Sequence, residues 1–167
     1  SVSESKWINR FLEGDALKTV VQKVKKVKPR VLWISPDDTL DLKKQLPALI
    51  DLCEFPNKSG NYFVFAYPCF HVNWEQSGMR KLRDMHGVHH RQIDMMHYDP
   101  RLVRGDYSYL NLCSNLPRWT FDPMLARNEQ IGMTDKMMKN DLVHFYEDYY
   151  PLCFCNTVYK LVTDAVR

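Results

Sequence analysis

The 167 residues, 45% hydrophobic and 13% aromatic, suffice for one globular domain with a real core. No stretch is apolar for long enough to span a membrane, and no secretory leader opens the chain. Net charge is only +3, and its distribution along the chain says more than its size. Five cysteines (Cys53, Cys69, Cys113, Cys153, Cys155) with no CxxC pair set the expectation of buried, reduced thiols in a cytoplasmic protein. Ser1 in place of an initiator methionine predicts a single domain, residues 1–167, excised from the C-terminal part of a longer chain whose upstream residues are missing.

In chain order, Lys6 to Leu12 predicts a short helix broken by Gly14. Asp15 is suited to cap the next helix, Asp15–Lys28, whose Leu17, Val20, Val21, Val24 and Val27 recur at helical spacing. Pro29 ends it. The apolar run Val31–Ile34 reads as a strand buried on both faces, stopped by Ser35-Pro36-Asp37-Asp38. Ligands collect at the carboxyl ends of strands in open α/β sheets, so Ser35 to Asp38 is the expected working edge. A helix near Asp41–Cys53 follows, with Pro47 as a kink or true start. Pro56 to Gly60 reads as a loop, and Asn61 to Tyr67 as a second buried strand.

Trp74 to Met96 has helical stretches with a break near Gly87. Tyr107 to Cys113 reads as a third strand, Ser114 to Lys139 as an irregular connection of functional length. The last helix spans roughly Glu147 to Val166, interrupted or delayed by Pro151. Met95, Met96, Met137 and Met138 read as core filling, and Tyr146, Tyr149, Tyr150 and Phe154 as packing for that helix. Alternation of helix and strand predicts a three-layer α/β/α domain with a mostly parallel central sheet.

This order of features resembles the SGNH (GDSL-like) hydrolases. Gly14 precedes a helix, strand Val31–Ile34 ends in Ser35-Pro36-Asp37-Asp38 where Gly-x-Asn-Asp would stand, and Asp141-Leu142-Val143-His144 matches the Asp-x-x-His ahead of the terminal helix. The Gly-Asp-Ser motif of the nucleophile is absent. Asp37 stands where the family's asparagine donates to the oxyanion. A carboxylate there only accepts, and losing one such donor costs about 3–4 kcal/mol of transition-state stabilisation. The resemblance therefore implies a pseudo-hydrolase in which Asp37, Asp141 and His144 are vestigial. It implies more specifically the non-catalytic SGNH-like domains of insect germ-plasm organisers, which bind messenger RNA in germ granules alongside other granule proteins, with no cofactor and no membrane.

The basic residues argue independently. Lys18, Lys23, Lys25, Lys26, Lys28 and Arg30 crowd one short segment opposed only by Asp15, as a polyanion site would require. Arg80, Lys81, Arg83 and Arg91 share a segment with His86, His89 and His90; Arg101, Arg104 and Arg118 follow. Arg118 beside Trp119 and near Phe121 suits single-stranded RNA, whose bases stack on rings and guanidinium planes. Lysine-rich helix faces are also ordinary solvated faces, and Trp119 is equally readable as core.

Four other readings compete. One is an SGNH-type esterase or lipase with an upstream serine, served by Asp141 and His144. Another is a protein-interaction scaffold whose basic faces meet acidic partners. A cysteine hydrolase would use Cys69 or Cys113 with His144. A zinc site would draw on His86, His89, His90 and His97 at near-helical spacing, but Gly87 interrupts them and no further ligand completes a set. Cys153-Phe154-Cys155 lacks any supporting metal-type spacing.

Overall fold

The computed structural model describes residues 15–36, 42–69, 72–98, 109–125 and 152–167. Helix α1 (Asp15–Val27) buries Leu17, Val21 and Val24, the stripe its periodicity demands, and leaves its lysines in solvent. It ends at Lys28, which donates its N–H to the Val24 carbonyl (2.8 Å) with φ of 52°. That left-handed position usually falls to glycine; here Pro29 follows it and the chain turns into β1 (Val31–Ile34).

Helix α2 (Leu42–Lys58) runs through both Pro47 and Pro56, so the residues expected to loop out at Pro56–Lys58 are its last turn. The helix closes through Gly60 (φ 78°). There the Asn61 N–H reaches back to the Pro56 carbonyl (2.9 Å) and the Ser59 N–H to Phe55 (3.0 Å), a Schellman closure. Strand β2 (Tyr62–Pro68) follows, then a 3-10 turn (Val72–Glu75) and helix α3 (Ser77–Arg83).

The expected helical continuation from Arg83 to Met96 is instead largely a strand, β3 (His89–Asp94), followed by a 3-10 turn at Met95–His97. β4 (Tyr109–Ser114), the short helix α4 (Asp122–Leu125) and α5 (Leu152–Ala165) complete the described elements. α5 matches the expected last helix over Leu152–Ala165; its expected start at Glu147, and Pro151, lie outside the described residues.

The sheet order is β1-β2-β4-β3. β1 and β2 pair in parallel, Val31 opposite Tyr62. β4 is inserted antiparallel between β2 and β3, with Val64 and His89 both opposite Ser114. Two of these three pairings are therefore antiparallel, which corrects the expected mostly parallel sheet while leaving the domain α/β. The cause is the one unforeseen strand, β3: with β3 in the sheet, β4 lies between β2 and β3 and runs against both.

Side chains alternate into two clusters. On one face Leu32, Ile34, Phe63, Phe65, Tyr67 and Cys113 pack with residues of α1, α2 and α3. On the other, Val64, Ala66, Leu110, Leu112 and Ile93 pack with Phe121 and Met124 and with Phe154 and Val158 of α5. Phe65 and Tyr67 both meet Trp74 edge-on, and Phe154 meets Trp33 and Tyr98 likewise. Met95 is buried, as expected.

Gly78 is where α3 closes on α2. A Cβ there would meet Leu46 Cδ2, stand 2.8 Å from Leu46 Cγ and 3.0 Å from Ile50 Cδ1. Leu46 is itself buried and cannot swing away without opening the interface. Gly78→Ala is expected to destabilise the domain by about 1–3 kcal/mol, as overpacking does, read as a lower urea midpoint at unchanged slope.

Candidate nucleic-acid interface

The pairing register defines two ends of the sheet. At one end β1, β2 and β3 begin and β4 finishes. That end is tied together by polar side chains. The Asn115 Oδ1 accepts from the Phe63 N–H (2.9 Å), while its Nδ2 donates to Asn57 Oδ1 (3.0 Å) and to the Asn61 carbonyl (2.9 Å). Asn57 in turn donates to the His86 carbonyl (3.2 Å). The buried Ser114 hydroxyl donates to the Phe63 carbonyl (2.6 Å) and accepts from the Leu116 N–H (3.0 Å). The end of α2, the start of β2, the end of β4 and the loop into β3 are thus held by one clasp.

The basic residues exposed toward that end come from two stretches of the chain. Lys28 and Arg30 arrive just ahead of β1; both are exposed, and the Arg30 guanidinium lies over the Tyr62 ring, 5.1 Å from its centroid. Arg118 arrives from the loop after β4 and is exposed. Lys26 points outward from the last turn of α1. Among the described residues none of Lys23, Lys26 and Lys28 forms an ion pair, whereas Lys25 is turned toward α2 and pairs with Asp51 (2.9 Å).

The second predicted group divides. Arg80 pairs with Glu75 (2.8 Å), Lys81 with Glu54 (3.8 Å), and Arg83 lies 4.0 Å from Asp84. These α3 side chains are already matched with acids. Arg91 is an internal strut: its Nη2 donates to the Arg118 carbonyl (3.1 Å), its Nη1 to the His90 carbonyl (3.3 Å), and its Nε sits 3.5 Å from an Asp122 oxygen. Arg101 and Arg104 lie outside the described residues, as do Asp37, Asp141 and His144. The expected working edge at Ser35 is at the opposite end of the sheet from the basic cluster.

Of the two aromatics paired with Arg118 in the sequence, Phe121 is wholly buried and belongs to the core, while Trp119 is 57% exposed. The asparagine clasp was not legible as a site, since single asparagines carry no pattern. The one local signal was the turn-forming run Asn57-Lys58-Ser59-Gly60-Asn61.

The histidines do not sit on a common helix face. His89 and His90 point to opposite faces of β3, and His97 lies beyond its far end, so the helical spacing behind the zinc reading does not exist. Among the described residues no three His, Cys, Asp or Glu side chains cluster as metal ligands. Burial pushes the Cys53 thiol up, Cys69 and Cys155 to about 11 and Cys113 to about 12. Thiols held protonated in this way are poor nucleophiles, and His144, the base of the cysteine-hydrolase reading, lies outside the described residues.

The His89 Nε2 donates to the Leu116 carbonyl, so its proton sits there. Desolvation holds its pKa below 6.5 against the raising effect of that bond, and the charges of Arg91, Arg118 and His90 lower it further. The unfolded ring therefore binds protons more readily than the folded one. Stability is full above pH of about 6.5 and falls as pH drops toward the depressed folded pKa. His89→Gln, whose amide can still donate to Leu116, is expected to flatten that acid limb in pH-resolved thermal melts.

Comparison with protein-family models, with curated proteins and with solved structures finds no match to this chain. Among the described residues no helix is long and apolar enough to cross a membrane.

Proposed function

We propose that this is a non-catalytic RNA-binding domain that takes single-stranded RNA, messenger RNA in particular, on the basic end of its sheet. The observation that carries this reading is that Lys26, Lys28 and Arg30 around the start of β1 and Arg118 after the end of β4, two stretches far apart in sequence, are all exposed toward the same end of the sheet. Among the described residues none of the four forms an ion pair, and exposed cations left unneutralised in this way attract a polyanion. Helices packed on both faces support a three-layer arrangement of SGNH type, and Asp37 at the family's oxyanion position argues for a pseudo-hydrolase. The resemblance that reaches furthest is to the C-terminal domain of the insect germ-plasm organiser Oskar, which places the domain in cytoplasmic germ granules among other granule proteins.

Titration of the full chain with a short unstructured oligoribonucleotide across a salt series tests the reading. Binding is expected to weaken linearly in log–log form, with a slope of about −0.7 per phosphate neutralised on a single strand. Absence of binding at low salt by the folded protein defeats it.

A further inference from the structure

The loop after β4 is built to present one side chain. Leu116, Thr120 and Phe121 are buried, the Thr120 N–H and hydroxyl both return to the Pro117 carbonyl (3.0 and 2.6 Å), and the Asp122 N–H reaches the Trp119 carbonyl (3.1 Å). Arg91, its side chain only 22% exposed, braces the loop from β3 through the Arg118 carbonyl and Asp122. Between these anchors only Arg118 and Trp119 project into solvent. A rigid turn that holds an indole out of the core, beside an arginine, at the basic end of the sheet has the parts of a base-stacking platform: a preordered ring loses little entropy on contact, and every base offers it a π-face.

We infer that Trp119 stacks on an unpaired base of single-stranded RNA, with Arg118 engaging the adjacent phosphate or base plane and Arg91 serving as the positioning residue that holds the loop. This rests on the RNA-binding reading and narrows it to strands with accessible bases. A duplex presents phosphates to the same charges but no base face to the indole.

The test compares wild type, Trp119→Ala, Trp119→Phe and Arg91→Lys for binding to oligouridine, to an RNA duplex and to heparin, a polyanion without bases. Thermal melts are run on each protein. Trp119→Ala is expected to weaken oligouridine binding about tenfold, the order of one lost base–aromatic stack, with heparin and duplex affinities unchanged. Trp119→Phe keeps a ring and retains most of the affinity. Arg91→Lys cannot reproduce the forked contact and shifts oligouridine affinity toward the alanine variant's without moving heparin. Oligouridine binding by Trp119→Ala at wild-type strength overturns the platform while leaving RNA binding standing. Equal losses for oligouridine and heparin also overturn it, because the ring then serves only the fold or the charge. Wild type that binds heparin but not oligouridine removes the RNA reading itself, and the platform with it.

Discussion

Replacing Asn115 with alanine is expected to cost about 3 kcal/mol of stability, because one side chain closes three hydrogen bonds across the end of the sheet. Its carbonyl oxygen takes the Phe63 N–H, and its amide serves Asn57 and the Asn61 carbonyl. Each bond contributes on the order of 1 kcal/mol net, and more where the partner left behind is out of water. The consequence reaches function, since the same bonds fix the end of α2 against the start of β2 and the end of β4. Asn115→Asp is the sharper variant. It keeps the acceptor for Phe63 but loses both donated bonds and sets a carboxylate against the Asn61 carbonyl. Urea unfolding of the two variants is expected to show both strongly destabilised, with the aspartate no better than alanine despite its matching shape.

Neutralising Lys26, Lys28 and Arg118 together is expected to flatten the salt dependence of RNA binding by about two units of log–log slope, at roughly 0.7 per lost phosphate contact on a single strand. Affinity at low salt falls steeply in the same variant, and affinity at high salt falls little. All three side chains are exposed, so their replacement by glutamine leaves the melting temperature near that of wild type. The control is Arg80→Gln with Lys81→Gln on α3. It removes two positive charges of the same net kind, but each already faces a glutamate, and the slope is expected to hold. A general loss of basicity would move both variants in proportion to the charges removed, three against two; a localised surface moves only the first.

Much of the architecture is legible in the chain. α1 is written in the spacing of Leu17, Val21 and Val24, and the apolar runs of β1 and β2 stand out without any partner. Strand direction is not legible in the same way. β3 reads His-His-Arg-Gln-Ile-Asp, with Ile93 its one fully buried side chain. A polar edge strand of that kind needs no hydrophobic alternation, because among the described residues it pairs only with β4. Missing it made the next strand look like another parallel member. Pro56 misled for a related reason: a proline in the last helical turn forfeits one backbone bond, and the Gly60 closure and the packing of Leu52 and Cys53 outweigh that loss.

For the candidate site, the sequence supplied the charges but not their grouping. Lys25 and Lys26 are neighbours in the chain, yet one faces Asp51 and the other faces solvent. Arg91 and Arg118 looked equivalent, yet the first holds the second's backbone. Trp119 and Phe121 are two residues apart, and only the turn anchored by Thr120 decides which becomes surface and which becomes core. Such distinctions depend on contacts between segments that no local pattern encodes.

Photocrosslinking of the full chain to a thiouridine-substituted single-stranded RNA, with the attachment sites mapped by mass spectrometry, tests the central claim most directly. The account predicts adducts concentrated in residues 26–30 and 117–120, lost at high salt and sparse on α3. Adducts confined to α3, or spread evenly over every exposed lysine and arginine, would contradict it.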